Sequence, residues 1–269
     1  MKSLFNLITA CLAVAVCALA APVRAGVTID LSADADTFVS NGTVNGADQS
    51  GKNYGGAGAM MVASADLGKG DQQSLIRFDT AGVKSAFDTQ FGAGQWHVTS
   101  ISLRNGGNFG TAGTQPNNPV FAAVTKGNFD IAWMKNDSWV EGAGNPNNND
   151  TTPGVLTYNN LGNYISGDDQ NLGTFYWDAP GNNIPETWNL SLGSRLIADV
   201  IAGDVGNETS FRYSATPGGS VGFLFNQRTF GAPDAPVLAI TADVPEPASI
   251  SILAIGMLAL GLRRRQIIQ

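Results

Sequence analysis

The last 26 residues, Val244 to Gln269, set the first limit on what this chain can fold into. Pro245 and Pro247 flank Glu246. Each proline fixes φ and removes a backbone donor, so this stretch cannot join a helix or a central strand. Behind it, Ala248 to Leu262 is an apolar run of 15 residues, roughly 22 Å long as a helix. That is short against a hydrocarbon core of about 30 Å, but Arg263, Arg264 and Arg265 follow it and can snorkel to extend the span. Such an arginine cluster favours the cytoplasmic side. The globular part must therefore be complete before Val244, and the tail is expected to be a transmembrane helix.

The order of Pro245-Glu246-Pro247, apolar run and Arg263-Arg264-Arg265 resembles the PEP-CTERM sorting signal of Gram-negative bacteria. That resemblance implies recognition and cutting by the intramembrane transpeptidase exosortase, with the inner membrane holding the protein only transiently. A plain tail anchor is the alternative. The other end points the same way. Lys2 precedes an apolar stretch from Leu4 to Ala21, and Val23-Arg24-Ala25 puts small residues at the two positions a signal peptidase reads. Residues 1–25 are thus read as a signal helix with cleavage between Ala25 and Gly26. A lipoprotein box at Ile8-Thr9-Ala10-Cys11 would leave an apolar region of about eight residues, at the short limit. Cys11 and Cys17 both lie in this segment, so residues 26–243 have no disulfide and no thiolate metal site.

Those 218 residues can hold a sizeable core. Of 15 Lys plus Arg and 22 Asp plus Glu, five and one fall in the terminal segments, leaving 10 against 21 and a net charge of −11. An acidic surface argues against nucleic acid, whose binding rests on phosphate neutralisation. It also disfavours anionic polysaccharides and suits neutral glycans or cations.

The pattern within 26–243 is nearly all β. Val27 to Leu31 alternates apolar and polar, and Val221, Phe223 and Phe225 share one face. Phe211 and Tyr213 share a face, as do Ile76 and Phe78 with Arg77 opposite. Trp96 and Val98 align one step out of register with Ile101 and Leu103, which predicts a bulge near Thr99 and Ser100. Further strands are expected at 59–63, 120–125, 129–134, 174–177, 187–190 and 237–241. Turn-forming runs such as Asn105-Gly106-Gly107 and Thr216-Pro217-Gly218-Gly219 separate them. Leu192, Leu196, Ile197, Val200 and Ile201 recur at helical spacing, so Gly193 or Ser194 to Ala202 reads as a short amphipathic helix closing one end. Many short strands with such turns indicate an all-β, jelly-roll-type sandwich forming one domain over 26–243. Asn145 to Thr152 is polar and repetitive, and reads as an exposed loop.

The segments Ala35-Asp36-Thr37-Phe38-Val39, Asn53-Tyr54-Gly55, Leu75-Ile76-Arg77-Phe78-Asp79, Asp137-Ser138-Trp139-Val140-Glu141-Gly142 and Leu156-Thr157-Tyr158-Asn159-Asn160 occur in that order. Together they resemble the DNRLRE domain, related to carbohydrate-binding modules of family 96. The resemblance spans about Asp34 to Thr241. It implies an extracellular jelly roll attached to polysaccharide-active or surface proteins, but this chain departs from it in a Gly- and Asn-rich stretch at 94–129 and an expanded loop at 145–153, which leaves ligand identity open.

Candidate chemistry is sparse. His97 is the single histidine, and its alternation with Trp96 and Val98 puts it on the solvent face, away from a nucleophile–base system. A glycosidase pair needs only two carboxylates flanking a sugar, so a hydrolase or lyase stays as an alternative to a non-catalytic protein. Calcium takes oxygen ligands, and Asp34 with Asp36, and Asp168 with Asp169, are oxygen-rich pairs. Sugar rings stack on exposed aromatics while amides and carboxylates bind hydroxyls. Trp133, Trp139, Trp177 and Trp188 are weighed for this role. Trp139 and Trp188 read as core, and Trp177, beside a loop, and Tyr164 read as exposed. Tyr164 and Tyr158 bracket Asn159, Asn160 and Asn163 and complete the candidate face. The expectation is an exported protein that binds or associates with exopolysaccharide, against a purely structural matrix role.

Overall fold

A computed structural model describes residues 26–107, 126–178, 183–202, 207–230 and 234–245. The strand expected at 120–125 lies outside these residues, as do the signal helix, Ala25, Glu246, Pro247, the apolar tail and Arg263, Arg264 and Arg265. Twelve strands appear among the described residues: β1 Val27–Ser40, β2 Thr43–Val44, β3 Ala47–Asp48, β4 Ala59–Ala63, β5 Gln72–Asp79, β6 His97–Gly106, β7 Gly127–Met134, β8 Gln170–Trp177, β9 Pro185–Asn189, β10 Glu208–Ala215, β11 Gly222–Asn226 and β12 Val237–Asp243. The helices are α1 Val83–Phe91, α2 Tyr158–Leu161 and α3 Ser194–Ala202. No described helix is long and apolar enough to cross a membrane.

The strand that organises the sheets is β1. Its first half pairs with β12, from Val27↔Ala242 to Ser32↔Val237, and its second half pairs with β5, from Ala33↔Phe78 to Ser40↔Gln72. The register shifts between Ala33 and Ala35. A bulge there turns the strand and lets it pass from one sheet into the next. One side is therefore β1-β12-β6-β9 and the other is β8-β7-β10-β5-β1. The two meet across a common apolar core. Val98, Ile101, Leu103, Trp188, Leu238 and Ile240 come from the first, and Ile76, Phe78, Phe129, Ile131, Phe211 and Tyr213 from the second. The bulge expected in β6 is present at Thr99, because Thr241 pairs with Ser100 while Ala242 pairs with Val98.

Two additions complete the packing. The β4–β11 ribbon is buried on both faces. Met60, Val62, Phe223 and Phe225 join the main core, while Met61 and Leu224 pack with Phe38 and Tyr54, whose rings stack at 4.3 Å. Helices α1 and α3 contribute Phe87, Leu196 and Val200 to the main core. The amphipathic reading of 194–202 thus matches its structure. Helix α1 was not anticipated, although Val83, Phe87 and Phe91 recur every four residues. On the outer face of β1, β5 and β7, the segment 137–164 lays Trp139, Leu156 and Leu161 over Ala35, Val39, Leu75 and Met134.

Candidate functional site

Arg77 sits on the outer face of β5, opposite Ile76 and Phe78. Its Nε and Nη2 donate to Asp34 Oδ2 at 3.1 and 3.0 Å, and its Nη1 donates to the carbonyls of Asp137 and Trp139 at 3.0 and 3.2 Å. The guanidinium also lies 5.3 Å from the centre of the Trp139 ring. One planar fork thereby ties β1 to the covering segment. Asn53 does the same from another loop. Its Nδ2 donates to Glu141 O and Leu156 O, and its Oδ1 accepts from Gly55 and Gly144. Gly142, at φ +72°, lies so close that an added Cβ would meet Asn53 Oδ1 at 2.5 Å. Glycine is required there for both reasons.

Asp36 lies on the inner face of β1 and is fully buried. Its Oδ2 accepts the Arg228 backbone N–H at 2.6 Å, and the Arg228 side chain grips Glu141 through two bonds of 3.2 and 2.7 Å. Burial pushes the Asp36 carboxyl up to about 7, against the opposing Arg228 bond. Asp137 is likewise buried and pushed up to about 7 by desolvation, opposed by a hydrogen bond from Ser210. The Ser210 hydroxyl in turn accepts Trp139 Nε1–H at 3.0 Å. All five ordered segments singled out in the sequence thus converge on one framework around Arg77, Asn53 and Asp36. These residues are spent on holding the fold.

Each of the four candidate calcium carboxylates has other partners in the structure. Asp34 is paired with Arg77 and Asp36 with the Arg228 backbone. Asp168 is paired with Lys135 at 2.7 Å and Arg195 at 3.0 Å, and Asp169 accepts the N–H groups of Lys135 and Ser166. Among the described residues no group of three or more His, Cys, Asp or Glu could hold a metal ion. His97 is on the solvent face as expected, 3.5 Å from Asp243.

The aromatic reading needs correction. Trp177 is not exposed. It is 0% accessible and packs 4.9 Å from Phe225 and 6.0 Å from Trp188. The cause is strand alternation: Phe175 and Trp177 share the inner face of β8, which leaves Tyr176 outward and 55% exposed. Trp133, Trp139 and Trp188 are also core. Tyr164 and Tyr158 are half-buried against Trp139 and its neighbours, and Tyr158 donates to Asp71 Oδ2 at 2.9 Å. Desolvation and the Asp71 carboxylate push the Tyr158 phenol up to about 12.

Among the described residues, the part of the outer face that 137–164 does not cover is open. Tyr176 pairs across with Asn128, and Thr174 with Asp130, whose Oδ1 accepts the Thr174 hydroxyl at 2.6 Å. Ser214 follows Asp130 on β10. Arg212 donates to Gln73 Oε1 at 2.8 Å, and Gln73 donates to Asp71 Oδ2 at 2.6 Å, where Tyr158 also binds. The row crosses three strand spacings from β8 to β5, or about 14 Å. At its end, Asp71 also lines a shallow depression of about 370 Å³ with Ser64, Asp66 and Thr216. An exposed ring at one end and a row of donors and acceptors beyond it have the chemistry to stack on an apolar face and to hydrogen-bond hydroxyls.

Comparison with known families finds the PEP-CTERM protein-sorting motif at residues 243–265. A comparison with curated proteins finds no match. The chain therefore carries a PEP-CTERM sorting motif, which begins at the last residue of β12 and implies export, exosortase processing and a transient membrane-anchored tail.

Proposed function

We propose that this chain is an exported, non-catalytic protein whose jelly-roll-type β-sandwich binds neutral exopolysaccharide on the outer face of β8, β7, β10 and β5. Signal peptidase acts between Ala25 and Gly26, and exosortase releases the domain to the cell surface or beyond. The observation that carries the binding reading is Tyr176, an exposed aromatic standing at the head of the polar row Asn128, Asp130, Thr174, Ser214, Arg212 and Gln73. A net charge of −11 over 26–243 favours an uncharged polymer. The extracellular setting is what the DNRLRE resemblance of the five ordered segments implies. Calcium has no part in this reading, because the candidate carboxylates are already engaged by cations and backbone amides.

The test is retention of residues 26–243 on a panel of neutral and anionic polysaccharides, with Tyr176→Ala beside the parent chain. Retention on a neutral polymer that Tyr176→Ala loses supports the site. Retention untouched by Tyr176→Ala moves the site elsewhere. Absence of retention on every polymer, the producer's own included, favours the purely structural matrix role.

A further inference from the structure

The two ends of the described domain lie together. Val27 pairs with Ala242, the Thr28 and Thr241 hydroxyls meet at 2.8 Å, and Asp243 pairs with His97 on β6. Val244 packs against the main core, and Pro245 after it is exposed. Three residues, Pro245 to Pro247, then separate the domain from the apolar run at Ala248. Fully extended they reach about 10 Å. A domain of 218 residues has a radius of gyration of about 17 Å. The tether is shorter than the body it holds, and its two prolines stiffen it further.

The open row sits at the other end. From Val27 to Ser40, β1 advances up to about 43 Å. Ser40 pairs with Gln72, which pairs with Ala63, whose other partner is Gly222. Asp71, Ser64, Thr216 and the depression they line therefore gather at the Ser40 end. Tyr176 belongs to that end as well, because Gly127, next to its partner Asn128, lies against Val221.

We propose that the end formed by Gly26, Thr28, His97 and Asp243 faces the phospholipid bilayer while the tail is uncut, and that the depression and the Tyr176–Asp71 row point away from it. The signal segment leaves from the same end, so the domain can close β1 onto β12 while both terminal segments are still in the membrane. Exosortase then works beneath a folded domain held about 10 Å from the surface. This rests on the tail reading but not on polysaccharide binding.

The test uses the full chain with Cys11→Ser and Cys17→Ser, reconstituted in phosphatidylcholine–phosphatidylglycerol vesicles carrying a headgroup-attached quencher. One fluorophore is placed at Thr28→Cys, Asp30→Cys or Ser220→Cys, all three exposed positions. Emission should be mostly lost at position 28, partly lost at 30 and retained at 220. Two positions near the tail keep the test valid if Thr28→Cys disturbs the contact with Thr241. Equal loss at 28 and 220, or greater loss at 220, overturns the orientation and leaves the anchored tail standing. A chain that fails to float with the vesicles overturns both.

Discussion

Two buried carboxyls should make residues 26–243 more stable in mild acid than at neutral pH. Asp36 and Asp137 are both pushed up to about 7 from 3.8, chiefly by burial. An aspartate raised in this way is protonated in the folded chain while the unfolded chain has already released its proton. Over the window from about 4 to 7 the folded state binds more protons, so stability falls as pH rises. The contribution is fully present below 3.8 and gone above about 7. Integrating from pH 5 to pH 8 gives a loss of about 2–3 kcal/mol for each group. That is large against a total of about 5–15 kcal/mol. The carboxylates held low, such as Asp88 and Asp168, lose their stabilising effect only at lower pH and do not mask the trend.

The assay is urea unfolding of residues 26–243 between pH 5 and pH 8, for the parent chain, Asp36→Asn and the double variant with Asp137→Asn. Asparagine keeps an oxygen for the Arg228 N–H and does not ionise. The parent midpoint should fall steadily across this range. Asp36→Asn should remove about half of the fall, and the double variant nearly all of it. A parent profile that is flat or rises with pH refutes the reasoning. A double variant that keeps the full slope refutes its assignment to these two residues.

The same contacts set four further outcomes. Trp177→Ala should cost about 3–5 kcal/mol in chemical denaturation, as for any buried tryptophan, whereas Tyr176→Ala should stay within about 0.5 kcal/mol of the parent. Arg77→Lys should cost about 2–4 kcal/mol, because a lysine cannot reach Asp34 and the Asp137 and Trp139 carbonyls together. Thermal melting should not move when calcium is added or chelated, and a calcium-dependent rise of several degrees would restore a cation site. A chain stopped after Asp243 should leave the membrane fraction without exosortase, and its persistence there would break the tail reading.

The strands were legible because most carry a period of two with β-branched or aromatic residues on one side. The 99–100 bulge was legible because Trp96 with Val98 and Ile101 with Leu103 fall out of phase. Other features could not be read locally. Val27–Leu31 and Ala35–Val39 look like two strands, and only pairing with both β12 and β5 makes them one. Helix α1 hid behind a weak stripe of three buried apolar residues in nine. Trp177 and Tyr176 differ by one step in a strand, and a one-residue phase error exchanges core for solvent. Its neighbouring loop suggested exposure, while the ring contacts that bury it come from the next strand, β9, and from β11, distant in sequence.

The ordered segments that make the chain look familiar and the residues that face solvent are different sets. Arg77, Asn53, Asp36, Trp139 and Glu141 bind one another and backbone, and so hold the covering segment in place. Tyr176, Thr174, Asn128 and Ser214 lie outside every one of those segments. Two proteins can therefore share the framework and present unrelated surfaces, which is why likeness in the framework does not name a ligand. The separation has a measurable form. Variants of the framework should shift unfolding midpoints and leave retention on a polymer unchanged under conditions where the chain is folded. Variants of the open row should do the reverse. A framework variant that stays folded and loses retention would place ligand chemistry inside the ordered segments and reverse this division.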